Sequence, residues 1–381
     1  MARQRTPDIA GRRLRNQRIA GAGFQRPGEV VAWMGAVQAQ DYLGALWALG
    51  IRMETAREEM IEQAIADRTV VRTWPMRGTL HFVAPADVRW MLALLRPRVI
   101  AGQRARHRQL ELDQAAFDRS RDIVTRALEG GRRLTRDALY ETLEAARIAT
   151  TGQRGIHILQ RLALEGLLCF ASREGKQQTF ALLEEWVPAA RTLERDEALA
   201  ELAGRYFQSH GPATMQDFAW WSGLTVAEVK MGIELAGPRL EREVIDGQAY
   251  WLAAASAGEE PAARPPSPTV WLLPPFDEYT VAYKERSAVL DPAHGRVMSG
   301  NGIFYPMIVV DGQVAGTWKR VFKKGSAEIT LSPFSPLKKK ERQAAVLAAE
   351  RYGDFLGKPA EATFARAMKI ERGINDYYHS A

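Results

Sequence analysis

The chain has 381 residues, 46% hydrophobic and 25% charged, with 52 Lys and Arg against 45 Asp and Glu for a net charge of +7. That length predicts two to four folded units rather than one core, and the composition excludes a disordered or fibrous chain. No apolar run reaches the roughly 18–20 residues of a membrane span, the start Met1-Ala-Arg-Gln-Arg-Thr leads into no signal-peptide core, and a single cysteine, Cys169, excludes an internal disulfide or an all-thiolate metal site. Together these predict a cytoplasmic protein without membrane contact.

The basic residues are mostly Arg, gathered at 12–15, 96–108 and 132–136. Guanidinium forks suit phosphate, and a pI near 9.5 meets the electrostatic criterion for a nucleic-acid binder. Charge alone leaves a merely Arg-rich surface equally open.

In chain order, residues 8–20 and 28–37 read as helices, the second opened by Pro27-Gly28-Glu29. Val37-Gln38-Ala39-Gln40-Asp41 then places polar side chains inside an apolar run. A buried amide without a partner costs about 1–3 kcal/mol, so Gln38 and Gln40 are tied into the core or line a cavity. A third helix runs through Leu43, Leu46, Trp47 and Leu49, and a fourth over 56–66. Val70 to Val83 is β-branched and aromatic around Pro75 and Gly78, which predicts two short strands and a turn. Helices followed by a hairpin is the order of a winged helix.

The order recurs. Helices over 86–94 and 115–128, one capped by Thr135 and one from Ile156 to Gly166 precede strands at Leu167–Ala171 and Thr179–Leu183. Then come a helix over 192–209, two helices capped by Thr214 and Thr225, and a hairpin around Asp246-Gly247. Residues 256–268 read as a Pro/Ala/Ser linker. Strand-like runs follow at Val270-Trp-Leu-Leu, Val309, Val314 to Trp318 and Glu328 to Leu331, with a turn at Asp311-Gly312 and a helix over 338–356. The predicted fold class is α+β: three tandem winged-helix units, then a small C-terminal β-barrel with a helix. The predicted boundaries are 1–110, 111–190, 191–255, a linker at 256–268, and 269–381.

Gln38-Ala-Gln40-Asp41, then Arg72-Thr-Trp-Pro-Met-Arg-Gly-Thr-Leu-His81, then Leu273-Pro-Pro-Phe-Asp-Glu-Tyr279 with Tyr283-Lys-Glu-Arg286, then Gly316-Thr-Trp318-Lys-Arg320 resemble, in that order, the AlkZ/YcaQ-type winged-helix DNA glycosylases. No one of these motifs is specific; four in order, over nearly the whole chain, are. The resemblance implies excision of N7-alkylated purines from double-stranded DNA and, in some members, unhooking of bulky adducts or interstrand crosslinks. It also implies catalytic glutamines at Gln38 and Gln40, since AlkZ-like members carry Gln–apolar–Gln.

The chemistry is consistent with that implication. An i, i+2 pair points one way only on extended backbone, so the helix should end near Gln38 and both amides should project together into a groove. A glutamine amide orients water rather than deprotonating it. An N7-alkylguanine is already cationic and needs no acid to leave, so a positioned water and a stabilised oxocarbenium-like sugar can suffice.

Around this pair each candidate has two readings. Asp41 is a general base or, as its position favours, a helix N-cap. Arg77, Thr79 and His81 reach DNA or the pocket, or brace the hairpin. Asp277 and Tyr279 face the same cavity, or form a strand-end turn with a packed Tyr. Trp318, Lys319 and Arg320 wedge and grip a groove, or belong to an exposed hairpin with one packed Trp. No metal, nucleotide or flavin motif is present, so no cofactor is expected. The alternative function is a non-catalytic winged-helix DNA-binding protein or transcriptional regulator, usually dimeric; three fused units favour a monomer.

Overall fold

The break anticipated in the first apolar run is where the first sheet begins. The helix Pro27–Met34 stops at Gly35, whose φ of +76° strains any residue with a Cβ. The chain leaves it as strand β1, Ala36–Gln38. The computed structural model describes residues 8–254, 267–297 and 304–365. The sequence-predicted linker falls almost wholly outside them. The chain divides into two compact units, residues 1–264 with 276–286, and residues 265–275 with 287–381.

In the first unit, β2 (Val71–Met76) and β3 (Thr79–Val83) form the anticipated hairpin. Its two-residue turn, Arg77-Gly78, has φ of +54° and +74°, the left-handed pair that matches strand twist. Further on come β4 (Leu134–Thr135), β5 (Leu168–Phe170) and β6 (Thr179–Leu182). The two hairpins do not remain separate wings. β2 pairs with β5 through Arg72 and Phe170, and all six strands make one sheet in the order β1-β3-β2-β5-β6-β4. That sheet spans the boundary anticipated at 110/111.

Side-chain alternation buries both faces. Ala36, Val71, Val83, Cys169 and Ala181 pack on one side with Trp90, Leu199, Tyr206 and Trp221. Trp74, Leu80, Leu168, Phe170 and Phe180 pack on the other with Phe117, Leu139 and Leu159. Two buried faces explain why these strands read as nearly continuous apolar runs. Cys169 is fully buried, and burial pushes its thiol well up, which leaves it inert.

The helix anticipated over 86–94 runs from Val88 to Gln109, through Pro97. Proline removes one hydrogen bond and crowds the preceding turn. Here the buried Trp90, Met91, Leu94 and Leu95 hold the first half in place. Residues 95–109, beyond the expected end of that helix, are therefore helical as well. The helices Met215–Ser222 and Val226–Ala236 each open with a reciprocal capping box, Thr214 with Asp217 and Thr225 with Glu228, each cap worth about 1 kcal/mol. They lead to a separate two-stranded sheet, β7 (Leu240–Ile245) and β8 (Gln248–Ala253), joined at Asp246-Gly247 as expected.

Among the described residues the second unit is an open sheet rather than the expected barrel. Its strands are β9 (Val270–Leu273), β10 (Met307–Val310), β11 (Gln313–Phe322), β12 (Ala327–Pro333) and β13 (Ala360–Phe364), in the order β13-β12-β11-β10-β9. The first four pair antiparallel. The helix Lys339–Leu356 then carries the chain back so that β13 joins β12 in parallel. That return leaves β13 and β9 at opposite edges, and the helix covers a face through Ala345, Ala349, Tyr352 and Phe355. No helix among the described residues is long and apolar enough to cross a membrane.

Candidate active site

Gln38, His81 and Thr73 face one another across β1, β3 and β2: Gln38 is the register partner of His81, and His81 of Thr73. Residues directly opposite share a face, so three polar side chains make a row on an otherwise apolar surface. The tight turn folds Arg77 back over that row. Its Nη2 donates to Gln38 Oε1 at 3.3 Å and lies 3.4 Å from His81 Nε2. His81 Nδ1 lies 3.0 Å from the Thr79 carbonyl, which accepts only, so Nδ1 carries the proton and Nε2 receives from Arg77. Burial and the Arg77 charge lower the His81 pKa to about 4 against the pull of Glu278. The ring is therefore neutral at pH 7.

The backbone of the Gln-Ala-Gln run is clamped by charge. The Arg72 guanidinium donates twice to the Ala39 carbonyl, at 2.8 and 3.2 Å; burial lowers its pKa to about 10, still cationic at pH 7. Ala39 N–H donates to the Leu80 carbonyl at 2.7 Å, and Leu80 N–H donates to Gln40 Oε1 at 3.3 Å. Both glutamine oxygens thus turn toward one hairpin. Gln38 is only 6% exposed, whereas Gln40 lies exposed at the rim. Gln38 lies on extended backbone, as expected, while Gln40 lies in a bend just beyond β1.

Sequence reasoning missed Glu278. Its Oε1 accepts from the Gln38 main-chain N–H at 2.8 Å, and its Oε2 from the Trp221 indole N–H at 2.9 Å. His210 Nε2 lies 3.5 Å from Oε2, with its ring stacked on Tyr206 at 4.8 Å. Glu278 and His210 are both fully buried. Burial works to protonate the carboxyl, but the His210 imidazole and the charge of Arg77 outweigh it and hold the pKa below the ordinary range. The available signal was an adjacent pair of acids, Asp277 and Glu278, in Pro274-Pro-Phe-Asp-Glu-Tyr-Thr-Val-Ala-Tyr283, an apolar setting in which a buried carboxylate requires partners from elsewhere.

Asp277 and Tyr279, placed in the cavity on one sequence reading, do not join it. Asp277 is fully buried against Arg52, with Nη1–Oδ2 and Nη2–Oδ1 both 2.9 Å, and accepts from Tyr279 N–H. The Tyr279 hydroxyl donates to the Ala10 carbonyl at 3.2 Å. Adjacent side chains diverge at the start of the short helix Glu278–Val281, which sends Glu278 to the polar row and its neighbours into the packing. Asp41 caps Tyr42–Gly50 by accepting from Gly44 N–H at 3.1 Å. Thr79 contributes its carbonyl to His81, while its hydroxyl reaches only the Met76 carbonyl at 3.5 Å.

Trp318 is 1% exposed and donates its indole N–H to the Leu273 carbonyl at 2.7 Å. It is packed and is no wedge. Lys319 is exposed beside it, and Arg320 donates to the Tyr352 hydroxyl at 2.6 Å. A surface hollow of about 440 Å³ on the first unit is lined by Glu58, Glu59 and Glu62, a charge that repels phosphate. No cluster of three or more metal-ligating side chains occurs among the described residues.

A pair of oriented amides beside a charge-clamped backbone can hold a water and a polar reactant without any strong acid. Among known proteins, the class that matches this chain is the DNA glycosylases. The interstrand DNA cross-link repair glycosylase of Streptomyces sahachiroi is 28% identical over 337 residues, covering 84% of this chain and 89% of that protein. The solved structure of Streptomyces sahachiroi DNA glycosylase AlkZ matches with a TM-score of 0.78 at 25% identity, over 93% of this chain and 98% of that one. A family model described as DNA glycosylase AlkZ-like matches residues 31–355, and the chain belongs to that family.

Proposed function

We propose that this protein is a monofunctional DNA glycosylase that hydrolyses the N-glycosidic bond of N7-alkylated purines in double-stranded DNA, including bulky adducts and interstrand crosslinks. It works as a monomer, with residues 1–110, 111–190 and 191–255 as successive winged-helix segments. The observation that carries this reading is the Gln38-Ala39-Gln40 run at the end of β1, with Arg77 on the Gln38 amide oxygen and Leu80 N–H on that of Gln40.

Each carbonyl oxygen has two lone pairs. The second lone pair of Gln40 accepts a proton of the attacking water, and the Gln38 amide nitrogen donates to its oxygen. Water adds to C1′ as the C1′–N9 bond breaks. The bonding pair neutralises the alkylpurine cation, and the water proton passes to solvent. Amide dipoles facing the sugar stabilise the positive charge that develops there. Exposed Arg98, Arg104, Arg106 and Arg108 on the helix Val88–Gln109 supply phosphate contacts.

The test is release of free base, with alkali-labile sites, from duplex DNA holding one N7-methylguanine. Wild-type protein should release it, and Gln38→Ala with Gln40→Ala should abolish release. No release by wild type, or undiminished release by the double variant, overturns the reading.

A further inference from the structure

β1 is the edge strand of the six-stranded sheet. On an edge strand every second N–H points away from the ladder and needs an acceptor of another kind. Ala39 N–H turns inward to Leu80, and Gln38 N–H turns outward to Glu278. A fully buried carboxylate is an expensive acceptor for one amide, because taking the charge out of water costs several kcal/mol. A backbone carbonyl would have satisfied Gln38 N–H equally well.

What a carboxylate adds is charge and a second oxygen. Oε2 is fixed by Trp221 and approached by His210. Arg77 separately holds the Gln38 amide oxygen. Gln38 is thus gripped by its main chain through Glu278 and by its side chain through Arg77.

We propose that Glu278 is a positioning residue for base excision: it fixes the Gln38 peptide, and with it the point from which the Gln38 side chain leaves β1, without touching DNA. This rests on the glycosylase reading above. Glu278→Gln keeps size and burial but presents an NH2 group to one of two N–H donors, Gln38 or Trp221. The grip on the Gln38 peptide then weakens while the DNA-facing surface stays as it was.

The experiment measures wild type, Glu278→Gln and Trp221→Phe in three ways. They are single-turnover release of N7-methylguanine from duplex DNA, DNA affinity, and hydrogen exchange at the Gln38 amide. Glu278→Gln should slow release about tenfold or more with affinity within about twofold, and should speed Gln38 exchange at least about tenfold. Trp221→Phe removes one donor to Oε2 and should shift release and exchange in the same direction by less; it carries the test if Glu278→Gln does not fold. Unchanged release, or affinity falling in proportion to release, overturns the positioning role. Unchanged Gln38 exchange overturns the clamp even if wild-type protein releases no base, an outcome that would separately overturn the proposed function.

Discussion

Replacing Asp277 with alanine should destabilise the first unit by about 3–5 kcal/mol, the cost of leaving one partner of a buried ion pair alone. Arg52 and Asp277 are both fully buried and bonded through two parallel contacts of 2.9 Å. Arg52 also donates to the Ala48 carbonyl and to Gln17 Oε1, each at 2.8 Å. Neither of those acceptors carries charge, so the truncation strands a desolvated guanidinium. It also removes the acceptor for Tyr279 N–H, adding about 1 kcal/mol. Against a typical stability of about 5–15 kcal/mol, this is a large fraction, and in a domain of this size it corresponds to a melting shift on the order of 10 °C. Asp277→Asn keeps the Tyr279 cap and one oxygen for Arg52, and should cost about half as much. Arg52→Met with Asp277→Ala should recover most of the loss, because an apolar replacement of the whole pair leaves no orphan charge. Urea unfolding of wild type, Asp277→Ala, Arg52→Met and the double variant closes the cycle. A loss below about 1 kcal/mol for Asp277→Ala, or a double variant as damaged as the sum of the singles, would refute the reasoning.

Asp41→Ala should cost about 1 kcal/mol through loss of the cap on Gly44 N–H and leave base release unchanged; a collapse of release at equal folding would reinstate Asp41 as a base. His81 is fully buried with a pKa near 4, below the roughly 6.5 of an unfolded histidine. Its contribution is complete above pH 6.5 and is lost as pH falls through 6.5 toward 4, a total of about 3 kcal/mol. Urea midpoints at pH 7, 5.5 and 4 should fall less steeply for His81→Gln than for wild type, and equal slopes would count against a buried neutral ring. Trp318→Phe should lower the melting temperature by removing the buried indole bond to the Leu273 carbonyl, about 0.5–1.5 kcal/mol, without weakening DNA affinity; an affinity loss at full stability would restore the wedge.

Local signals carried much of the chain. The Thr214 and Thr225 caps, the Asp246-Gly247 turn and the break before Gln38 all rest on contacts within a few residues, and each is where its residue types place it. Pairings across distance were not legible. Nothing in Arg72 or Phe170 announces that their strands would join, because an apolar strand buried on both faces can accept many neighbours. The expected barrel failed for a related reason: strand-like runs fix no closure, and the parallel return of β13 decides it. At the site, Gln38 and Gln40 stood out as amides in an apolar run. Glu278 did not, because its partners lie at Gln38, Trp221 and His210, and its neighbours Asp277 and Tyr279 drew attention first.

Gln38 and Glu278 are 240 positions apart. Ribosomes add roughly 5–20 residues each second, so on the order of tens of seconds separate the synthesis of the glutamine from that of the carboxylate that seats it. Through that interval the hairpin Val71–Val83 can pair with β1, yet the outward amide of Gln38 lacks the acceptor it has in the folded chain. The edge of the sheet can therefore be assembled early, while the seat of Gln38 closes only after residue 278 has been made.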